Sequence, residues 1–276
     1  MPIAVSVITD EVAPDLESGL RMALDEGLPL VDVRSIGGVN FMSLDGAQQR
    51  AAAQKIKDAG LKVGTLATPL LKWPAPGLRA DHMGDQFGFD RAGRTNDQLY
   101  DDAFRAAEVL GTGNIRVFSL LKYDGFKPAD LDTDYEKLIR LAERHDVIIH
   151  VENESVCNLH TVSELTAGMQ HWRHPRLRAL LDITNGWRVA QATVAEVETI
   201  APFVSQSHFK DWSATRRRMV ALGEGDVPFA ALLPPLYAAA RQRDMTFVVE
   251  THVPDEQPGA TLRSVRALKR LAAAGM

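Results

Sequence analysis

The chain has 276 residues, of which 45% are hydrophobic, so it can bury a sizeable core and is expected to be globular. Its formal net charge is -5 and, apart from Arg216, Arg217 and Arg218, its basic residues are scattered, which argues against a nucleic-acid partner. The single cysteine, Cys157, excludes an intramolecular disulfide and a cysteine-based zinc cluster. With no apolar run of membrane-spanning length and no signal-peptide pattern, we expect a cytoplasmic protein without a membrane partner.

Short β-branched runs alternate with longer amphipathic segments along the whole chain, and this pattern predicts eight strands, each followed by a helix. The predicted strands are 4–9, 30–36, 62–68, 114–120, 147–153, 177–183, 204–210 and 246–252. The clearest predicted helices are 15–26, 46–59, 96–110, 133–145, 161–172, 194–200, 229–242 and 261–274.

Eight consecutive βα units predict an α/β fold of the (β/α)₈ TIM-barrel type, as a single domain over residues 1–276. An open doubly wound sheet would need a glycine-rich phosphate turn after its first strand, where this chain has "TDEVAPD". No linker rich in Gly, Pro or Ser divides the chain. The long irregular segment 70–95 follows the third strand, and we expect it to form a lid over the C-terminal ends of the strands.

Four consecutive predicted strands end in a side chain that can bind a cation: Glu152, Asp182, His208 and Glu250. Neighbouring strands of a barrel bring such positions to one rim, where three carboxylates repel one another unless a divalent ion lies between them. Three carboxylates and one imidazole favour Mn²⁺ or Mg²⁺, with Co²⁺ and Zn²⁺ as alternatives. The competing interpretation is that these residues are unrelated caps of rim loops.

Four protein ligands leave two positions of an octahedron for two substrate oxygens, such as a carbonyl and the adjacent hydroxyl of a keto-sugar. The metal would act as a Lewis acid and stabilise a cis-enediolate. Glu152 and Glu250 would then serve as the catalytic acid and base. Return of the proton to the opposite face gives epimerisation, return to the neighbouring carbon gives isomerisation, and loss of a β-hydroxyl gives elimination.

Side chains two residues apart on a strand lie on the same face of the sheet. This spacing, or a position at the same rim, indicates further candidate substrate-binding residues. For each of them, loop packing or surface pairing is the alternative role. The candidates are Lys210, Arg34, Lys72, Trp73, Glu154 and His252.

The four ends read "VEN" at Glu152, "LDITN" at Asp182, "HFKD" at His208 and "VETH" at Glu250, and together they resemble the xylose isomerase-like TIM-barrel superfamily. The resemblance is to its sugar isomerase/epimerase branch, which includes tagatose 3-epimerases, and it extends to "GEGDVPF" after the seventh strand. It implies that the Glu, Asp, His and Glu coordinate one divalent metal and that both glutamates move protons. Asn185 stands where those epimerases have a histidine, which argues against a tagatose-type substrate and a trinuclear site.

These residues give a leading hypothesis, a divalent-metal-dependent isomerase or epimerase of a keto-sugar or related polyol. A dehydratase or lyase, for example on a 3-keto-glycoside, would use the same site. A non-catalytic sugar-binding barrel or a complex subunit is the third hypothesis. The chain is compatible with a homo-oligomer, although no feature of the sequence indicates the number of subunits.

Overall fold

In a computed structural model, which describes residues 3–79 and 82–275, eight parallel strands form one sheet. From the second strand to the eighth, each pairs with the next along the chain, and the eighth also pairs with the first. A parallel bridge between Ile8 and Asp32 joins the two outer strands and closes the barrel. The predicted (β/α)₈ fold is therefore confirmed. The strands are β1 Ala4–Val7, β2 Leu30–Val33, β3 Lys62–Leu66, β4 Asn114–Val117, β5 Ile148–Glu152, β6 Leu177–Asp182, β7 Val204–Phe209 and β8 Thr246–Val249.

Ten α-helices surround this sheet in the described residues, and several begin at a side-chain cap that the sequence supplies. Asp45, Thr95, Thr161 and Thr193 each form a capping box with a Gln or Glu three residues later. The helices are α1 Leu16–Asp25, α2 Gly46–Asp58, α3 Asn96–Leu110, α4 Asp132–His145, α5 Val162–Trp172, α6 Ile183–Ala190, α7 Val194–Ile200, α8 Phe229–Leu232, α9 Pro234–Ala240 and α10 Gly259–Ala274.

Two helical predictions were incomplete. The expected continuous helix 229–242 is broken into α8 and α9, because Pro234 has no backbone N–H to continue a helix and instead suits the first position of a new one. Helix α6 was not predicted. It begins directly after β6, with Asp182 as its N-cap.

The core lies on both faces of the barrel wall, where β-branched and aliphatic strand residues meet the inner faces of the helices. Inside the barrel the packing is partly polar. Asp32 accepts hydrogen bonds from Ser6 Oγ and Gln206 Nε2, each at 2.7 Å, and Gln206 Oε1 accepts one from Thr65 Oγ1 at 3.0 Å. Neutral donors therefore surround a buried carboxylate in the middle of the barrel.

The join between β3 and β4 differs from its neighbours, because the two strands are matched at one position, Leu66 with Ile115. Towards the N-terminal ends of these strands, Thr112 Oγ1 and Asn114 Nδ2 donate to the carbonyl oxygen of Gly64. A cavity of about 970 Å³ opens at this end of the barrel, with Lys62 and Gln206 among its lining residues.

The long loop after β3 covers the opposite end, as expected of a lid, although residues 80 and 81 lie outside the described part of the chain. The carbonyl of Gly88 accepts a hydrogen bond from Asn40 N–H at 3.2 Å. Gly88 has φ +69°, and a Cβ there would lie 1.9 Å from the carbonyl oxygen of Gly38. Only glycine permits this close approach of the loop to the segment after β2.

None of the helices in the described residues combines the length and apolarity needed to cross a membrane.

Candidate active site

The structure brings the four predicted metal ligands together at the C-terminal ends of β5 to β8. Glu152, Asp182, His208 and Glu250 are all buried, and each offers one ligand atom such that these atoms lie within 4.8 Å of one another. The Nδ1 atom of His208 lies 3.2 Å from Glu152 Oε1 and 3.4 Å from Glu250 Oε2. One oxygen of each glutamate therefore faces the same imidazole nitrogen.

The local fold fixes the orientation of Asp182. Its Oδ1 atom caps α6 by accepting the backbone N–H of Asn185 at 2.7 Å. The side chain of Asn153 holds its main chain, accepting from Asp182 N–H at 2.8 Å and donating to Asp182 C=O at 2.9 Å. With Oδ1 used by the cap, Oδ2 is the oxygen directed at the cluster.

Three of the four groups present a buried atom with no hydrogen-bond partner in the described part of the chain: Glu152 Oε2, Asp182 Oδ2 and His208 Nδ1. Charged nitrogens lie near the two oxygens, Arg116 Nη1 3.1 Å from Glu152 and Lys210 Nζ 2.6 Å from Asp182, but neither is aligned to donate. Buried polar atoms are almost always satisfied in folded proteins. Unsatisfied carboxylate and imidazole atoms that converge on one point fit a bound metal ion.

The balance of charge supports the same fit. Within residues 3–79 and 82–275, the ion-pair network around these groups contains five carboxylates and three permanent cations. The adjoining Lys72–Glu154 pair, with Nζ and Oε2 3.3 Å apart, adds no net charge. A divalent ion would offset the two excess negative charges. The carboxylates are Asp10, Glu11, Glu152, Asp182 and Glu250, and the cations are Arg34, Arg116 and Lys210.

Burial and the closely spaced charges of the cluster shift the pKa values of its members. Burial and the neighbouring Glu250 and Glu152 raise the pKa of Asp182, although Lys210 opposes them. Burial alone would lower the pKa of His208, but the same two glutamates raise it to about 10. The raised pKa of His208 reflects the negative charge of the two glutamates, and a site for a cation needs such charge.

Glu250 is the most heavily compensated carboxylate of the cluster. Its Oε1 atom lies 3.0 Å from Arg34 Nη1 and 3.5 Å from both Arg116 Nη1 and His252 Nε2, and its Oε2 atom accepts from Lys210 Nζ at 2.9 Å. Burial alone would raise the pKa of Glu250, yet Lys210, His252 and His208 hold it well below its usual range. Glu250 is therefore a carboxylate at neutral pH.

Arg34, predicted from the end of the second strand, is buried and links three carboxylates. Its guanidinium donates to Asp10 Oδ2 at 3.0 Å, to Glu11 Oε1 at 2.5 Å and to Glu250 Oε1. The ring of Phe87, from the loop after β3, covers the guanidinium, with its centroid 3.5 Å from Cζ. Phe87 also lies 5.8 Å from the ring of His252, so the lid contacts the charged network directly.

The other nominated residues occupy two different places. Lys72, Glu154 and His252 border the cluster, and burial opposes but does not prevent Lys72 and Lys210 from lowering the pKa of Glu154 to about 2. Trp73 instead packs within the lid, stacked on Phe89 at 6.4 Å and on the Arg91 guanidinium at 4.5 Å. Its surroundings suit anchoring of the loop.

Sequence reasoning missed Asp10, Glu11 and Arg116. Arg116 is a lone charge inside the apolar strand β4, and it is buried with Nη1 between Glu152 and Glu250. Asp10 and Glu11 follow the first strand in the segment "TDE". Charges at the end of, or inside, a buried parallel strand require partners, and that signal was available in the sequence.

The structure defines a (β/α)₈ barrel with three carboxylates and one histidine clustered at its C-terminal rim. Comparison with known protein families agrees with this fold. The family described as xylose isomerase-like TIM barrel matches residues 23–271, so the chain belongs to this family. The resemblance inferred from the four strand ends is thereby confirmed. No curated protein matches the sequence significantly.

Solved structures with the same fold are distant in sequence. The probable 3-DHS dehydratase AsbF from Bacillus anthracis is 16% identical with TM-score 0.70, over 98% of this chain and 99% of that one. A D-allulose 3-epimerase from Methylomonas sp. is 14% identical with TM-score 0.71, over 100% and 98%. The IOLI protein, solved with a zinc atom, is 11% identical with TM-score 0.73, over 99% of each chain. At these identities the likeness shows the fold alone.

Proposed function

We propose that the protein is a divalent-metal-dependent isomerase or epimerase that acts on a keto-sugar or a related polyol. One observation carries the proposal: Glu152, Asp182, His208 and Glu250 converge at one rim, and three of them present buried atoms that have no hydrogen-bond partner among the described residues. The epimerases among the structural neighbours support the choice of reaction and of a carbohydrate substrate.

Three carboxylates and one imidazole form a mostly hard ligand set, which favours Mn²⁺, with Mg²⁺, Co²⁺ and Zn²⁺ as alternatives. A divalent ion held there supplies Lewis-acid polarisation of a substrate carbonyl, which acidifies the adjacent C–H bond. Asp182 and His208 would hold the ion, and Glu152 and Glu250 would hold it and also reach the substrate.

The two glutamates move the proton. Glu152 ends β5 and Glu250 follows β8, so their side chains enter the site from strands separated by β6 and β7. One, as a carboxylate, removes the proton beside the carbonyl, and the other, in its carboxylic acid form, returns a proton. Lys210 and Arg34 hold substrate hydroxyls, and Phe87 closes the site against water.

A second candidate function is dehydration or another elimination at the same site. It is supported by the neighbour described as a probable 3-DHS dehydratase. The two functions share the first proton transfer and differ in whether a β-hydroxyl or an aglycone then leaves. Product mass separates them, because elimination changes it and epimerisation does not.

The proposed location is cytoplasmic, with no nucleic-acid partner, in keeping with the net charge of -5. Cys157 is buried, and burial raises the pKa of its thiol, so it takes no part in the chemistry.

The test is solvent exchange. The Mn²⁺-loaded protein is incubated with a panel of keto-sugars in D₂O, and NMR follows loss of the carbon-bound proton beside the carbonyl. We expect exchange with at least one sugar, and a fall of about 10³-fold in Glu152→Gln and in Glu250→Gln. Glu17→Gln, at an exposed surface ion pair with Lys55, is the control and should keep full activity. Full activity in protein stripped of metal would refute the proposal.

A further inference from the structure

Lys210 is a buried lysine whose ammonium contacts the predicted metal ligands themselves. It follows β7, two residues after His208, and its side chain is 2% exposed. Its Nζ atom lies 2.6 Å from Asp182 Oδ2 and 2.9 Å from Glu250 Oε2. These are the Asp182 oxygen left free by the helix cap and the Glu250 oxygen that faces His208.

A metal ion and the Lys210 ammonium would therefore draw on the same two oxygens. Like charges sharing ligands inside a buried site repel strongly, because little water screens them. When no ion is bound, the same ammonium offsets the mutual repulsion of Asp182 and Glu250 and so supports the folded cluster.

We propose that Lys210 sets the metal affinity of this site by competing with the divalent ion for Asp182 and Glu250. The inference rests on the proposed metal site. It predicts two effects of opposite sign when the charge is removed: the protein binds the ion more tightly, and it becomes less stable without the ion. A residue that merely shaped the site would lower both affinity and stability.

Lys72 provides a matched control within the same rim. It is also a buried lysine, with its side chain 6% exposed, and its ion pair is with Glu154 rather than with a predicted ligand. Lys72→Met therefore removes one buried positive charge without freeing an oxygen of Asp182 or Glu250. A second control, Lys210→Arg, keeps the charge at the competing position.

Isothermal titration calorimetry with Mn²⁺ tests the inference, using protein stripped with EDTA and dialysed free of chelator at one fixed pH. We expect Lys210→Met to bind Mn²⁺ at least tenfold more tightly than wild type, while Lys72→Met and Lys210→Arg stay within about threefold. Equal or weaker binding by folded Lys210→Met would overturn the role of Lys210 and leave the metal site standing. Absence of Mn²⁺ binding to wild type would instead remove the site itself.

A second measurement covers a variant too unstable to titrate. Wild type and Lys210→Met are purified with Mn²⁺, and the rise in melting temperature caused by the ion is measured against samples in excess EDTA. The inference requires a larger rise in Lys210→Met than in wild type, from a lower starting value. A smaller or equal rise would overturn it.

Discussion

The rim and the interior of the barrel handle buried carboxylates in different ways. At the C-terminal rim, Glu250 and its neighbours are surrounded by full positive charges from Arg34, Arg116 and Lys210. In the barrel interior, Asp32 receives hydrogen bonds from the neutral side chains of Ser6 and Gln206.

The consequence appears in the opposite pKa shifts of the two carboxylates. Burial raises the pKa of Asp32 to about 6, and its hydrogen bonds only partly oppose that shift. The pKa of Glu250 is held well below its usual range, although burial acts on it in the same direction. Neutral hydrogen bonds therefore do not offset the cost of burying a carboxylate as full charges do. At the rim Glu250 keeps its negative charge, whereas Asp32 in the interior takes up a proton more readily.

The largest expected effect is a loss of stability when a buried cation is removed from the rim. Arg34→Met leaves Asp10, Glu11 and Glu250 without their shared cation, so the free energy of unfolding should fall by about 3–5 kcal/mol. Urea unfolding in EDTA measures it. Lys55→Met, which breaks an exposed pair with Glu17, should change stability by about 1 kcal/mol or less. Equal effects of the two substitutions would contradict the importance of burial.

The next effect concerns Asp32 and depends on pH. Because its folded pKa, about 6, exceeds the ordinary aspartate value of 3.8, the folded state holds the proton more tightly. The contribution of Asp32 to the stability of wild type therefore falls as the pH rises through this range. Asp32→Asn, which cannot ionise, should gain about 2–3 kcal/mol relative to wild type between pH 4 and pH 8. Urea titrations at both pH values measure the difference, and a pH-independent difference would refute the raised pKa.

The smallest effect is at Ser6, which donates its hydroxyl hydrogen to Asp32 Oδ1 at 2.7 Å. Ser6→Ala should cost about 2 kcal/mol at pH 8, where the acceptor is charged, and about 1 kcal/mol at pH 4, where it is neutral. The same urea titrations detect it. If Ser6→Ala costs more at pH 4 than at pH 8, the assignment of charge to Asp32 at high pH is wrong.

Much of the architecture could be predicted from the sequence, because parallel barrel strands are continuous apolar runs that end in polar residues at one rim. That rule by itself predicts that Glu152, Asp182, His208 and Glu250 share one rim. It does not identify the partners of Arg116, because Glu152 and Glu250 come from distant parts of the chain. Pairing of this kind depends on the barrel being closed, so a linear pattern does not contain it.

Asp10 and Glu11 were missed for the same reason. They lie next to the first strand, and their partner Arg34 lies beyond the second, so only closure of β1 against β2 makes them neighbours. The prediction of one continuous helix over residues 229–242 was wrong. The apolar periodicity of this segment runs across two prolines, and these interrupt the backbone hydrogen bonds of a helix.

Arg116 gives the weak join between β3 and β4 a further meaning. Its Nε and Nη2 atoms donate to the carbonyls of Thr68 and Ala67, each at 3.3 Å, beyond the single matched pair of the two strands. The same guanidinium reaches Glu152 and Glu250. One side chain thus bridges β3 and β4 where they share a single matched pair, and it also lies beside both proposed catalytic groups. Arg116 therefore links the pairing of two barrel strands to the charge of Glu152 and Glu250.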